Sequence, residues 1–415
     1  MRNGFPHIVI AGAARTPVGI KCGTLSHSTA EDLAVIASEE AITRSGIDKN
    51  DIDAAIGANV YQFTAPDTQD IYFPRNVALR CGLKTETPAL MVQRICGSGL
   101  QTVVNGFQQI ALPEAVDDTN VALCFGAEVM SRAPRIMRSP RCSGTNFWEF
   151  REDGEIEDSM LASLNHDLAN TTMMRTADEY GHKLGVTRDE CDAFAVLSHQ
   201  RARRANRESH LNGGDALQGM FAIDTIDLDD HPVHLARDEC VRDTTVDTLQ
   251  RLRGLTPHGL VSPGNASEIS DGGATILLAD RKRAEKLGLD TQFEIAGYGI
   301  SGVEPRLMGR GPIPSIRQAL QRAGIEQDDV DLWEINEAFA AQFLGVEKEL
   351  GLDREKTNVN GGAIAIGHPL AATGTRLLVD LLFEMKRRSV KYGCASACIG
   401  GGQGIAVILR NTQVS

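Results

Sequence analysis

An internal repeat is the feature that most limits what this chain can fold into. In the first half, the apolar segment IVIAG at 8–12 precedes a loop, a helical pattern that reaches about Arg44, an acidic turn and the strand-like segment AAIGANV. In the second half, EIAG at 294–297 precedes a loop, a helical pattern at about 315–322, the turn AGIEQDDVD and the strand-like segment LWEIN. Strands that alternate with helices predict βαβ units around a buried mixed sheet.

Both halves continue in the same way. A strand leads through a Gly-rich turn into a helix twice, from 89–93 into CGSGLQTVV and from Val359 into GGAIAIGHPL. Each half then ends in an apolar, Gly-bearing strand, at 121–126 and at 400–409. Two copies of such a unit would place equivalent helix N-termini near a shared interface.

A polar segment of a different kind separates the two halves. We predict an N-terminal half at 1–126 that is completed by about 266–290, an inserted loop domain at 127–265, and a C-terminal half at 291–415. The loop domain is interpreted either as a lid or ligand-binding flap or as an oligomerisation surface, and the two roles are compatible.

Charge and cysteine content exclude several classes of function. The chain has 415 residues, enough for two or three domains, and its net charge of −13 argues against a nucleic-acid binder. No apolar run reaches the length of a membrane span, and the N-terminus lacks the layout of a secretory signal. Nine cysteines, an odd number without such a signal, favour a reducing compartment, so we expect a cytoplasmic protein. Cys394 and Cys398 have no matching pair elsewhere, so no metal site is expected.

The segment 358–374, NVNGGAIAIGHPLAATG, carries His368 near its middle. Its closely spaced glycines allow tight turns, and Pro369 stiffens the corner that presents the imidazole. A helix is predicted from about Ala372 to Arg388. Taken alone, the histidine is either a catalytic base or a hydrogen-bonded residue of the core or surface.

Cys96, in QRICGSGL, follows a predicted strand and opens a predicted helix. A thiol at a helix N-terminus experiences the positive end of the helix dipole, which favours the thiolate. Gly97 and Gly99 leave room for a substrate to approach. The alternative is a buried cysteine that serves as a small hydrophobic residue.

Three further segments carry groups that could take part in the same chemistry. Cys398 precedes three consecutive glycines, whose N–H groups could stabilise an oxyanion or simply form a structural turn. Asn336, in EINEAFA, could orient a water or polarise a carbonyl, or could cap the next helix. Asn265 and Ser267, in SPGNASEISDGG, could bond an amide-bearing ligand or belong to a solvated turn.

Together these motifs resemble the thiolase family. The matching segments are RTPVG near the start, GNAS followed by DGG, NEAFAAQ, NVNGGAIAIGHPLAATG and CIGGG, in the order found in that family. The resemblance covers 8–410. It implies an α/β thiolase fold, in which two similar βαβαβαββ halves stack in α-β-α-β-α layers and an inserted loop domain holds coenzyme A.

The resemblance implies a role for each residue of the site. Cys96 would attack the 3-keto carbon of a 3-ketoacyl-CoA to give an acyl-enzyme, and His368 would activate Cys96. Asn336, through a water, would complete an oxyanion site with His368. The N–H groups of Cys96 and Gly400 would form a second oxyanion hole. Cys398 would move protons to and from the departing enolate and the incoming CoA thiol.

The resemblance also implies substrate contacts. Ser267 would contact the pantetheine, with Asn265 beside it, and Met173 and Phe339 would line the acyl pocket. Arg242 would meet a CoA phosphate or remain a solvated arginine. No cofactor is expected to stay bound, since CoA enters as a substrate.

Four positions depart from the family pattern. Thr172 and Met174 flank Met173 where members often carry histidine and glycine. Glu268 stands where glycine usually follows GNAS, and Gln403 replaces a common methionine. These departures bear on acyl-chain preference rather than on the chemistry.

The sequence therefore predicts a thiolase that cleaves 3-ketoacyl-CoA with CoA or runs the reverse Claisen condensation. The segments GNAS and IAIGHP and the long loop after Met130 favour the short-chain type that acts on acetoacetyl-CoA, with a broad-range thiolase of fatty-acid β-oxidation as the alternative. A noncatalytic CoA-binding member and a decarboxylating ketosynthase are the other classes, although the ketosynthase's paired histidines are not apparent. A homotetramer, a dimer of dimers, is expected because the loop at 138–158 resembles a tetramerisation loop of short-chain thiolases.

Overall fold

The structure, a computed structural model, describes residues 6–64, 69–112, 119–138, 155–166, 170–227 and 230–414. Its strands are β1 (Ile8–Arg15), β2 (Gly19–Ile20), β3 (Ala54–Ala58), β4 (Ala89–Met91), β5 (Val121–Val129), β6 (Arg135–Arg138), β7 (Glu155–Asp158), β8 (Asn165–His166), β9 (Thr171–Thr172), β10 (Ile223–Ile226), β11 (Pro232–Leu235), β12 (Ser270–Asp280), β13 (Phe293–Gly302), β14 (Leu332–Ile335), β15 (Tyr392–Ile399) and β16 (Gln403–Asn411). Its α-helices are α1 (Ala30–Ser45), α2 (Phe73–Arg80), α3 (Ser98–Ala111), α4 (Ser159–Leu164), α5 (Met173–Lys183), α6 (Arg188–Arg207), α7 (Val246–Gln250), α8 (Arg281–Leu287), α9 (Pro312–Ala323), α10 (Ala340–Leu350), α11 (Ala363–Ile366) and α12 (Leu370–Arg388).

The two halves have the same strand order. It runs β1-β12-β5-β3-β4 in the first half and β13-β16-β15-β14 in the second. In place of a fifth strand, Thr357 forms a single parallel bridge with Trp333 of β14. The halves join where Val9 of β1 pairs with Glu294 of β13, so all these strands form one mixed sheet. The repeat predicted from the sequence is confirmed.

The helices complete five layers. The central helices α3 and α12 bury apolar residues against strands of both halves, among them Leu100, Val103, Phe107, Leu377, Leu378 and Leu381. On the outer face of the first half lie α1 and α2, and on that of the second lie α9 and α10. The predicted α-β-α-β-α arrangement is therefore confirmed.

The inserted segment leaves the first half after β5 and returns as β12, which lies between β1 and β5. Its helices α5 and α6 pack against α10 of the second half. Thr187 caps α6 and forms a reciprocal capping box with Glu190. Most of the loop assigned to tetramerisation, residues 139–154, lies outside the described residues.

Three local expectations from the sequence are wrong. Val359 lies in a turn and not in a strand, because the pairing here is limited to the single bridge between Thr357 and Trp333. The final strand begins at Gln403 instead of the predicted 400, because the glycines before it form the turn from β15. The helix after His368 begins two residues earlier than predicted, since Pro369 already serves as its N-cap.

Two glycines allow the central helices to touch backbone to backbone. A Cβ on Gly99 of α3 would lie 2.5 Å from the backbone nitrogen of Thr375, and one on Gly374 of α12 would lie 2.3 Å from the backbone nitrogen of Leu100. Backbone atoms cannot move aside singly, so either side chain would push the helices apart.

We expect Gly374→Ala to lower the free energy of unfolding by about 1–3 kcal/mol, because overpacking outweighs the better helix propensity of alanine. Urea unfolding followed by circular dichroism measures this change. Gly302→Ala is the matched control, since a Cβ there meets no atom within 4 Å. Equal stability of the two variants would contradict the proposed backbone contact.

Candidate active site

Cys96 lies in a single 3-10 turn, Ile95–Gly97, between β4 and α3. Ile95 has a φ of 45°, a left-handed conformation that bulky residues rarely adopt. A Cβ on Gly97 would lie only 2.5 Å from Cδ1 of Ile399, so this turn fits tightly against the end of β15. Such strain is typical of functional turns.

His368 lies between α11 and α12, and it is buried. Its Nδ1 is 2.6 Å from Oγ1 of Thr373, and that hydroxyl donates to the carbonyl oxygen of Pro369 at 2.9 Å. Because the hydroxyl proton of Thr373 is engaged, its oxygen accepts the Nδ1–H of His368. This fixes the tautomer that has a proton-free Nε2.

Asn336 lies next to that free nitrogen. Its Nδ2 is 3.3 Å from Nε2 of His368, and its backbone N–H donates to the carbonyl oxygen of Ser396 at 2.9 Å. Its alternative role as a helix cap is wrong, because α10 begins only at Ala340, with Phe339 as its N-cap. Within the described ranges, Oδ1 of Asn336 has no hydrogen-bond partner.

Burial keeps the imidazole of His368 neutral. Burial and, to a smaller extent, the positive charge of Arg376 together lower the pKa of His368 to about 3. The ring therefore stays unprotonated across the whole range of ordinary working pH.

Cys96 does not carry the thiolate expected from its place before a helix. Burial raises its pKa to about 11, although the backbone N–H of Gly400 donates to the sulfur and lowers the pKa, and the charge of Glu128 raises it again. The expectation of a stabilised thiolate is wrong, because desolvation of the thiol outweighs the helix end. At rest, Cys96 and His368 are both neutral.

Cys398 is buried near the end of β15, next to Ile399, whose side chain packs against Gly97 in the turn that holds Cys96. Burial raises the pKa of Cys398 well above its usual range, and the charge of Cys96 raises it further. Cys96 also packs against the apolar cluster that contains Leu370, two residues after His368. The turn that holds Cys96 in the first half therefore lies against the strand end that holds Cys398 in the second half.

The residues expected to line an acyl pocket lie on the Cys398 side of the site. A Cβ on Gly400 would lie 3.5 Å from Sδ of Met173. The surrounding apolar cluster consists of Met173, Met308, Ala338 and Cys398, with the partly buried Leu164, Met174 and Phe339 packed against it. Three of these side chains are methionines, which adapt easily to ligands of different shape.

The loop 262–270 runs beside these residues. The backbone N–H of Ser267 donates to the carbonyl oxygen of Ala338 at 3.0 Å, and Ser267 is only partly buried. The expectation that Asn265 contacts the ligand is wrong, because its buried amide is used within the protein. Its Nδ2 donates to Asp192 at 2.8 Å and to the carbonyl oxygen of Leu260 at 2.9 Å. Its Oδ1 accepts a backbone N–H of the same loop at 2.8 Å.

Arg242 is not a freely solvated arginine. Its Nη1 is 2.8 Å from Oε1 of Glu268, and both side chains are partly exposed. The backbone carbonyl of Glu268 accepts the N–H of His368 at 3.1 Å. Arg242 therefore lies at the rim of the site, one ion pair away from the loop that holds the histidine.

Two buried carboxylates that the sequence analysis did not single out hold these segments in place. Glu128, at the end of β5, accepts backbone N–H groups of residues 60, 61 and 371 at 2.9–3.1 Å, and so fixes the first turn of α12. The carboxylate of Glu337 accepts hydrogen bonds from Oγ of Ser198 at 2.7 Å and from Nδ2 of Asn358 at 2.8 Å. A carboxylate at the end of an apolar strand, as in GAEVM, is the signal that could have identified Glu128.

Comparison with known proteins agrees with this geometry. The thiolase N-terminal domain matches residues 8–282 and the thiolase C-terminal domain matches residues 289–411. The human mitochondrial 3-ketoacyl-CoA thiolase is 41% identical over 409 residues, which cover 98% of each chain. The acetyl-CoA acetyltransferase of Pseudomonas aeruginosa is 39% identical over 404 residues, which cover 97% of this chain and 98% of that protein.

Solved structures give the same result. The crystal structure of the human mitochondrial 3-ketoacyl-CoA thiolase in complex with CoA matches with a TM-score of 0.89 and 40% identity over 98% of each chain. These relatives are named 3-ketoacyl-CoA thiolase and acetyl-CoA acetyltransferase, and the chain, like them, is an acyltransferase. The chain belongs to the thiolase family.

The lowered pKa of His368 predicts a pH-dependent stability. The unfolded chain takes up a proton on this histidine below about pH 6.5 and the folded chain does not until about pH 3, so stability falls as the pH falls through this window. Between pH 7 and pH 5 we expect this effect to remove about 2 kcal/mol of unfolding free energy.

Urea unfolding at both pH values measures that effect in the parent chain and in His368→Asn. The parent chain should lose more stability than the variant. The same pH dependence in both proteins would show that His368 is not held neutral by burial.

Proposed function

We propose that this chain uses CoA to cleave a 3-ketoacyl-CoA into acetyl-CoA and a shortened acyl-CoA, and that it also runs the reverse condensation. The strongest support is the fit of the Cys96 turn against the end of β15, next to Cys398, together with the backbone N–H of Gly400, which donates to the sulfur of Cys96. A neutral His368 with a proton-free Nε2 adds the base that such a thiol requires. CoA is a substrate here and not a resident cofactor.

In the first half-reaction, Nε2 of His368 takes the proton of Cys96 while the sulfur attacks the 3-keto carbon. The bond between carbons 2 and 3 then breaks, and its electron pair leaves on carbon 2 as the enolate of acetyl-CoA. The thiol of Cys398 gives its proton to that carbon. Acetyl-CoA departs and the acyl group stays on Cys96 as a thioester.

In the second half-reaction, the thiolate of Cys398 takes the proton of an incoming CoA thiol. The CoA sulfur attacks the thioester, the tetrahedral intermediate collapses, and Cys96 leaves as a thiolate. His368 returns its proton to Cys96, so both residues end in their starting state.

Negative charge develops on an oxygen in both half-reactions, and fixed donors lower its energy. We assign the N–H groups of Cys96 and Gly400 to one oxyanion, and protonated His368 with a water on Asn336 to the other. Each such donor contributes about 3–4 kcal/mol of transition-state stabilisation. The open Oδ1 of Asn336 supports its part in this assignment.

CoA would lie along the loop 262–270 and the inserted segment at 127–265, which we propose as the CoA-binding loop domain. The partly buried Ser267 would meet the pantetheine. Arg242 at the rim would meet a phosphate, because a guanidinium group binds phosphate oxygens in pairs.

The methionine-lined cluster favours the broad-range alternative over a strict preference for acetoacetyl-CoA. We therefore expect kcat/KM for CoA-dependent cleavage to be at least as high for 3-ketoacyl-CoAs of six and eight carbons as for acetoacetyl-CoA, because added methylenes gain apolar contacts. Steady-state kinetics over a chain-length series measures this. Cys96→Ser should be inactive with all of them and is the control. A tenfold fall from four to six carbons would support the short-chain type instead.

We also propose that the chain is a homo-oligomer, through the free edge of β4. Among the described strands, β4 ends the sheet, and its Leu90 is exposed, as are the large apolar side chains of Phe63, Ile71 and Tyr72. The expectation of a dimer of dimers rests only on the resemblance of the loop at 138–158 to a tetramerisation loop of short-chain thiolases.

Light scattering tests this surface. We expect the parent chain to be at least a dimer and Leu90→Lys to dissociate, because a buried unpaired charge is costly. Leu255→Lys, at another exposed leucine, should not change the mass. A monomeric parent chain would contradict the proposal.

No described helix has both the length and the apolar character needed to cross a membrane. We propose a cytoplasmic location from the cysteine content. The human relative is named as mitochondrial, so an organelle is the alternative compartment.

A further inference from the structure

Glu268 connects His368 with Arg242 at the rim of the site, through its backbone and its side chain respectively. The backbone N–H of Ser267 donates to Ala338 at 3.0 Å, and the carbonyl of Glu268 accepts the N–H of His368 at 3.1 Å. The backbone of Glu268 thus serves the active site, while its side chain points to Arg242, with Oε1 2.8 Å from Nη1.

A buried histidine holds the backbone of Arg242 in place. Its backbone N–H donates to Nδ1 of His199 at 3.2 Å. His199 is buried on α6, and its pKa is lowered to about 4 by burial and then by the charge of Arg242, so it stays a neutral acceptor at ordinary pH. The adjacent Asp243 pairs with Arg203 and does not compete for Arg242. The backbone of Arg242 is therefore held in place, while its guanidinium group is partly exposed.

A net charge of −13 gives CoA, a polyanion, no attraction to the chain as a whole. Its phosphates need local cations, and Arg242 lies beside the histidine loop, paired with Glu268. Carboxylate and phosphate oxygens use the same N–H donors of an arginine. Glu268 and a phosphate therefore compete for the N–H groups of Arg242.

We propose that Glu268 is a specificity-determining residue that occupies Arg242 until a CoA phosphate displaces it. The inference rests on the proposed function, because it takes CoA as the ligand. The side chain of Glu268 weakens the binding of ligands that carry the phosphates and speeds their release. Because Arg242 lies at the rim, the carbon–carbon chemistry at Cys96 does not depend on the side chain of Glu268.

The test measures CoA affinity by calorimetry and therefore needs no turnover. Glu268→Gln keeps the backbone and the side-chain size but removes the charge. We expect its Kd for CoA to fall about two- to fivefold, the size of effect typical of a partly exposed ion pair. The Kd for S-acetylpantetheine, which lacks the nucleotide phosphates, should not change.

A double-mutant cycle separates competition for Arg242 from simple repulsion of CoA. Arg242→Gln should weaken CoA binding, and adding Glu268→Gln to it should then have no further effect. Glu40→Gln is the matched control, because it removes the same charge from the surface pair with Arg44 on α1 and should leave the Kd unchanged.

Three results would overturn the proposal: no change or a higher Kd in Glu268→Gln, the same gain when Arg242 is absent, or an equal gain with S-acetylpantetheine. A parent chain that binds CoA and shows the predicted cycle but cleaves no 3-ketoacyl-CoA would refute the proposed function alone. A parent chain that does not bind CoA would refute both.

Discussion

The contact between the two central helices is the constraint on which the site depends. Gly99 and Gly374 allow α3 and α12 to approach at backbone distance. Cys96 lies two residues before the first of these helices and His368 two residues before the second. Each half supplies the same element, a sharp turn that leads into a helix. Duplication of that element therefore brings two different reactive groups to one junction, which neither half could form alone.

Burial then determines the chemistry of these groups. It raises the pKa of Cys96 to about 11 and lowers that of His368 to about 3, so no ion pair exists before the substrate arrives. In the mechanism that we propose, the proton moves only when the sulfur attacks, and the charge that appears is met by fixed backbone N–H groups. The pair of Arg242 and Glu268 is the opposite case, because it is partly exposed and can rearrange. We therefore propose that separate parts of the molecule control the reaction and the affinity for CoA.

The sequence predicted the repeat and the layers because each leaves a local pattern. Glycine runs mark the turns that hold Cys96 and Cys398, and alternating apolar segments mark the strands. It did not predict that Asn265 would be fully used by Asp192 and Leu260, or that Glu128 would anchor α12, because these partners are distant in the chain. The sign of the pKa shift of Cys96 was also missed, since desolvation depends on the folded surroundings and not on the helix that follows.

The central claim is that Cys96 carries the acyl group while Cys398 handles protons. It is tested most directly by rapid acid quenching after mixing with acetyl-CoA, followed by proteolysis and mass spectrometry. We expect the acetyl group on the peptide that contains Cys96, both in the parent chain and in Cys398→Ala. Acetylation of Cys398 instead, or no acetylation of a chain that binds acetyl-CoA, would contradict this division of roles.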